Sequence, residues 1–248
     1  MILIKTPEEI QIMAEGGKLL SKIVKVLEKK IKPGIKTKEL DRAIEALIFN
    51  CGGKPNFKGQ DGYPAALCTS INEEIVHSVP SKRILKEGDI ITLDCGLLWK
   101  SFHTDMAVTI PVGKISSQAE KLIQSTKEAL KKGIKKVRPG NTFGDIGNAI
   151  QEYAESQGFN VVRELCGHGI GRNLHEDPQI LNYGKKHSGL KIKEGMVFCI
   201  EPMLTAGNWK IKKGKDGYSY ETKDGSLSAH SEHMMAVTKN GVKVLTVV

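Results

Sequence analysis

Nowhere does the chain run through the roughly 18 consecutive apolar residues that a membrane-spanning helix needs. Its opening, Met-Ile-Leu-Ile-Lys-Thr-Pro-Glu-Glu, has too short an apolar run, and no basic segment before it, to read as a secretory leader. These two absences set cytoplasmic location and no membrane association as the expectation. Cysteine is sparse: Cys51, Cys68, Cys95, Cys166 and Cys199 are odd in number, far apart and never in a Cys-x-x-Cys pair. That excludes a disulfide framework and a cysteine zinc site, leaving reduced, mostly buried thiols. Neither a P-loop nor a Gly-x-Ser-x-Gly elbow occurs. Gly167-x-Gly169-x-Gly171 has the wrong spacing for a dinucleotide loop. His175-Glu176 starts like a zinc-helix motif, but position 179 is Gln and Pro178 would break the helix.

What is present suffices for a globular fold. With 248 residues, 40% of them hydrophobic, the chain can bury a full core in one large domain or two small ones. The formal charge of +9 permits an anionic partner such as ribosomal RNA, with transient ribosome association as the corresponding expectation. Much of the excess, however, is lysine scattered along helices and turns, such as Lys29, Lys30, Lys131, Lys132, Lys135 and Lys136, which a solvated face also accounts for.

Thr6 with Glu9 forms a capping box with Pro7 at the first helical position, and the spacing of Ile10, Met13, Leu20, Val24 and Leu27 predicts a helix to about Ile31. Lys32-Pro33-Gly34 stops it, and Thr37 caps a second helix that ends at Cys51-Gly52-Gly53. The same grammar returns about 105 residues later. Ser117 with Glu120 reads as a capping box, Arg138-Pro139-Gly140 is the stop, and Thr142 with Asp145 caps a helix ending near Gly158. Leu85-Lys-Glu-Gly-Asp-Ile-Ile-Thr-Leu-Asp94 and Ile192-Lys-Glu-Gly-Met-Val-Phe-Cys-Ile-Glu201 follow at a constant offset of 107. A His-x-x-Pro precedes each, at His77 and at His175. The period exceeds that of solenoid repeats, which is about 20 to 50 residues, so it predicts two similar α+β halves, about 1–112 and 113–248, facing each other across a pseudo-two-fold axis. Equivalent positions would then converge: Asp94 with Glu201, His77 with His175.

Asp94 and Asp105 flank a hairpin, where residues equidistant from the turn lie side by side. A solvated hairpin and a shared carboxylate site both fit that pattern. Glu201 closes one strand and Glu232 opens another, so a Glu pair matches the Asp pair. With His168 the set holds four carboxylates and one imidazole, a charge that two divalent cations would balance. Mostly oxygen donors with one nitrogen suit Mn, Fe, Co or Zn. Such a pair of metals can hold a hydroxide and polarise a carbonyl.

With these residues in view, the chain resembles type I methionine aminopeptidases of the pita-bread metallopeptidase family over nearly its whole length. The passages that carry the resemblance are Gly62-Tyr-Pro, Cys68-Thr-Ser-Ile-Asn-Glu, His77-Ser-Val-Pro80, Leu93-Asp94, His103-Thr-Asp105, Gly167-His168-Gly-Ile-Gly171, His175-Glu-Asp-Pro178, Ile200-Glu201-Pro and Ser231-Glu232-His. The resemblance implies an α+β pita-bread fold in a single catalytic domain, and removal of the first methionine from nascent polypeptides whose second residue is small. It implies two divalent cations held by Asp94, Asp105, His168, Glu201 and Glu232, with Glu201 also the proton acceptor for the attacking water. His77 and His175 would contact the substrate near the scissile amide, and Phe57, Tyr63, Cys68, Leu174 and Tyr218 would line the methionine pocket. No DNA partner and a monomeric state are the remaining expectations. Three positions depart from the usual pattern: Gln60 where an aromatic often stands, Ser78 where Gly or Ala is common, and Tyr218 where Trp is often found. Only about 30 residues separate Glu201 from Glu232, too few for the insertion of the type II form, so the resemblance is to the short bacterial form. Two rivals remain: a proline-directed peptidase of the same fold, and an inactive relative that binds RNA or the ribosome through its lysines.

Overall fold

The computed structural model describes residues 2–247. Two helices, α1 (Pro7–Glu28) and α2 (Thr37–Asn50), precede five strands: β1 (Lys54–Pro55), β2 (Leu67–Ile71), β3 (Glu74–Val76), β4 (Ile90–Trp99) and β5 (Phe102–Pro111). A second helix pair follows, α3 (Ser117–Ile134) and α4 (Phe143–Ser156). After it come β6 (Asn160–Val161), β7 (Gly167–Gly169), β8 (Glu176–Ile180), β9 (Val197–Ile200), β10 (Met203–Thr205), β11 (Ile211–Lys213), β12 (Tyr220–Thr222), β13 (Ser228–His230), β14 (His233–Thr238) and β15 (Gly241–Val244). The class is α+β, as expected, with every strand pairing antiparallel. Among the described residues no helix is long and apolar enough to cross a membrane.

The helices begin where polar side chains can replace missing backbone partners. Thr6 and Glu9 satisfy each other's backbone N–H groups at the start of α1, and Thr142 and Asp145 do so at α4. Three boundaries differ from the sequence reading. Helix α1 ends at Glu28, a turn short of Ile31. Helix α2 has Lys36 as its cap, with no side-chain hydrogen bond, because the Thr37 hydroxyl is committed to Ser81, donating to its carbonyl at 3.1 Å and accepting from its N–H at 2.8 Å. At α3 the capping side chain is Ser116, which accepts from Ala119 N–H; this shift of one residue puts alanine where a capping box needs a carboxylate.

Helices α1 and α2 bury Leu20, Leu27, Leu40, Ile44 and Ile48 against Leu67, Ile71, Ile91, Leu93 and Leu97 of β2 and β4. Helices α3 and α4 bury Leu122, Leu130, Ile146 and Ile150 against Phe198, Ile200, Met235 and Val237 of β9 and β14. At roughly 25 cal/mol per Å² of apolar area, each layer holds its sheet by burial rather than by propensity. A Cβ on Gly17 would lie 2.4 Å from the Leu245 carbonyl, so only glycine lets the segment at Leu245 lie against α1.

The two helix-and-sheet units repeat their hydrogen bonds. Leu85 N–H donates to Ile35 O at 2.9 Å and Ile192 N–H to Asn141 O at 2.8 Å. Gly88 N–H donates to Val112 O and Gly195 N–H to Val237 O, both at 3.0 Å. Isolated bridges pair Lys36 with Ile84 and Thr142 with Lys191. The four-stranded sheet runs β1-β4-β2 with β5 on β4, and the five-stranded sheet runs β15-β14-β9-β7-β8. They are stitched where Glu232 N–H donates to Ala107 O at 2.9 Å, and a third sheet joins β3 of the first half to β12 of the second.

Candidate metal and substrate site

Asp94 and Asp105 sit in the buried middle of the β4–β5 hairpin, but not opposite each other. The turn falls at Lys100 and Ser101, both at positive φ, so Trp99 pairs with Phe102, Asp94 with Ala107 and Asp105 with Gly96. The two carboxylates are therefore diagonal neighbours on one face of the sheet, two positions out of register. Gly96 is required there, because a Cβ on it would press into Asn56 and the Thr104 carbonyl. Glu201 and Glu232 lie one residue beyond the last β9–β14 pair, Ile200 with His233. That pair meets across the strands rather than diagonally.

Oxygen atoms of Asp94, Asp105 and Glu232 lie within 4.8 Å of one another. Asp94 Oδ1, Asp105 Oδ1 and Glu232 Oε1 are buried and have no hydrogen-bond partner. Burial pushes Asp94 up to about 7, and it pushes Asp105, Glu201 and Glu232 well above the carboxylate range, with neighbouring carboxylates adding to the rise in those three. Four buried carboxylates cannot all ionise together without cations. The donor chemistry therefore fits divalent metals.

His168 completes the set from β7. Its Nδ1 lies 2.9 Å from the Gly169 carbonyl, which can only accept, so Nδ1 carries the proton and Nε2 presents a lone pair. That Nε2 lies 3.6 Å from Glu201 Oε1 and 3.8 Å from Asp105 Oδ2. Burial, assisted by His175, pulls the imidazole down to about 4, so it is neutral near pH 7, the form that binds a metal. The glycines around it serve backbone packing. A Cβ on Gly167 would run into the Cys199 carbonyl and one on Gly169 into that of Asp177, so they let β7 nestle between β9 and β8.

The same residues form the floor of a cavity of about 520 Å³. All of the sequence-nominated residues line it: Phe57, Tyr63, Cys68, Leu174 and Tyr218 as the wall, His77 and His175 beside the carboxylates. Tyr63 donates from its hydroxyl to Leu67 O at 3.0 Å or Ser78 O at 3.1 Å, and its ring meets Tyr218 edge-on with centroids 5.5 Å apart. Tyr218 in turn donates to Gly62 O at 2.8 Å, fixing the wall from both halves. His77 follows β3 at a φ of 61°, which turns its ring out of the strand and edge-on to Tyr220. The rings of His168 and His175 meet at right angles, 4.5 Å between centroids.

Two neighbours of the cluster escaped the sequence reading. Cys199, two residues before Glu201 and so on the same strand face, places its sulfur within 4.8 Å of ligand atoms of His168 and Glu232. The only sequence signal was its position in that strand. His230, in β13, is buried with both ring nitrogens unpartnered and Nε2 3.9 Å from Glu201 Oε2. Nothing in its local sequence separated it from a core residue.

Comparison with known proteins gives the family and the fold. Residues 11–239 match the model of metallopeptidase family M24. The chain belongs to metallopeptidase family M24. A curated M24 relative, the methionine aminopeptidase of Clostridium perfringens, is 46% identical over 248 residues and is covered end to end, as is this chain. The crystal structure of methionine aminopeptidase from Rickettsia prowazekii superposes with a TM-score of 0.98 at 40% identity, again over 100% of both chains. The prolidase from Pyrococcus horikoshii shares the pita-bread fold at a TM-score of 0.81 and 25% identity; all of this chain matches 64% of that one.

Proposed function

We propose that this M24 member is a methionine aminopeptidase, one catalytic domain of two related halves that removes the first methionine from nascent chains whose second residue is small. The observation that carries this reading is a cavity whose floor gathers four carboxylates, three of them with an unpartnered oxygen, and a neutral imidazole, and whose wall is apolar and closed by two tyrosines. Asp94, Asp105, His168, Glu201 and Glu232 would hold two divalent cations, Mn, Fe, Co or Zn. Bound there, such cations polarise a carbonyl and make water acidic enough to attack it.

The protein's own groups divide the remaining work. Glu201 accepts the proton of the attacking water, from a side chain on the cavity floor 3.6 Å from His168 Nε2. His77 and His175 hold the scissile amide and donate to its oxygen as charge develops. Phe57, Tyr63, Cys68, Leu174 and Tyr218 receive the methionine side chain, whose thioether packs against rings and a thiol. The enzyme acts in the cytoplasm as a monomer, and lysine-rich faces allow transient contact with the ribosome.

Release of free methionine from a Met-Ala peptide tests the reading. Chelation abolishes it and Mn²⁺ or Co²⁺ restores it; no release with any divalent metal would sink the proposal. The prolidase fold supports one competitor, and faster cleavage of Ala-Pro than of Met-Ala would favour it. An inactive RNA-binding relative is disfavoured because all five ligand positions retain donors at the cavity floor.

A further inference from the structure

The segment before α1 reaches across the molecule to the loop that carries His175. Lys5 N–H donates to the Gly195 carbonyl at 2.8 Å, so the arm runs along the Lys-Glu-Gly turn of the second half. The Lys5 side chain is only 5% exposed, and so is that of Glu176, to which its Nζ donates at 2.5 Å. Nζ also donates to Leu3 O at 3.2 Å. A buried, hydrogen-bonded ion pair between two elements 171 residues apart costs desolvation that a surface pair does not, and a packed apolar pair would hold the arm as well.

Glu176 uses its second oxygen differently. Oε1 accepts from the N–H of Asn173 at 3.1 Å, closing the turn that presents Leu174 and His175 to the cavity. One carboxylate thus staples the turn from inside and is fixed from outside by Lys5. Gly171 belongs to the same device. A Cβ there would lie 2.6 Å from Lys5 Cε and 2.7 Å from Glu176 Oε1, so the missing side chain is the space through which the ion pair forms. The Gly171 carbonyl also accepts from His103 N–H at 2.8 Å, which fastens the loop to β5, the strand of Asp105.

We propose that Lys5 is a positioning residue for His175, holding the His175 turn through Glu176 across the gap left by Gly171. This rests on the reading of His175 as a substrate contact. A turn released at one end lets the imidazole drift from its place against His168, and a displacement of about 1 Å can cost up to about 10²-fold in rate.

The test is a double-mutant cycle on metal-loaded enzyme with Met-Ala as substrate. Lys5→Met, and separately Gly171→Ala, are expected to lower kcat by about 10- to 100-fold. KM and the number of bound cations should hardly change. Added to His175→Ala, Lys5→Met is expected to cost at most about twofold more, because the two substitutions remove one function. The imidazole NMR signals of His175, assigned by their loss in His175→Ala, should shift or broaden in Lys5→Met. If Lys5→Met does not fold, Lys5→Met with Glu176→Gln leaves no lone buried charge, keeps the acceptor for Asn173 N–H and is measured in its place. A full further loss in the His175→Ala background, or loss of bound cations, overturns positioning and leaves a structural strut. Unchanged activity of His175→Ala itself would overturn both this inference and the catalytic reading of His175.

Discussion

The first and second halves of the chain share a frame but not a division of labour. Their helix pairs close the sheets with matching hydrogen bonds at Leu85 and Ile192 and at Gly88 and Gly195. Yet the first half keeps its acids inside two ten-residue strands, diagonal to each other, whereas the second half places Glu201 and Glu232 just outside short strands. The second half also supplies His168, His175, Leu174 and Tyr218 from loops and strand ends around the cavity. Under the proposed function, long strands make Asp94 and Asp105 rigid donors, while strand ends leave room for a proton acceptor and for substrate contacts. A repeated frame can thus carry an unequal site, provided the differences lie where strands stop.

Equivalent positions should therefore respond unequally. Glu201→Gln is expected to lower kcat by about 10²- to 10⁴-fold, the usual worth of a general base, while cations still bind. Asp94→Asn, its counterpart, should lose cation affinity first and recover activity at high metal concentration. Equal behaviour in metal-titrated kinetics would break the asymmetry. The frame itself should respond equally. Ile44 and Ile150 are fully buried in α2 and α4. Replacing either by Ala should cost about 2–5 kcal/mol in denaturant unfolding, without altering metal stoichiometry.

The chelated protein should show what the buried acids cost. Folded Asp94 holds its proton up to about 7, while an unfolded Asp releases it near 4. Between those values the folded chain binds more protons, so its stability falls as pH rises through that window, and the other three acids extend the fall upward. Thermal melts at pH 5 and pH 8 should differ in chelator and converge when Mn²⁺ is added. The smallest contrast lies at the helix caps. Thr142→Ala should cost about 1 kcal/mol, whereas Glu120→Ala, at a helix capped by Ser116 instead, should stay within about 0.5 kcal/mol.

Much of this was legible in the chain. The repeated Lys-Glu-Gly turns and helix stops located both halves of the frame, and the carboxylates that follow their apolar strands are among the acids that meet on the cavity floor. The hairpin register was not, because its turn is built on Lys100 and Ser101 at positive φ, residues that give none of the Asn-Gly signal of such turns. Without the turn, Asp94 and Asp105 read as opposite rather than diagonal. Cys199, His230 and Lys5 were hidden for another reason. Each matters through a partner on a distant element, which no local spacing records.

Under the proposed function, both halves together hold two divalent cations on the cavity floor. Metal analysis of chelator-stripped protein re-equilibrated with Mn²⁺, beside Glu232→Gln, tests it most directly. Two cations per chain, falling to one or fewer in the variant, is the predicted result. Two in both, or none in either, would contradict it.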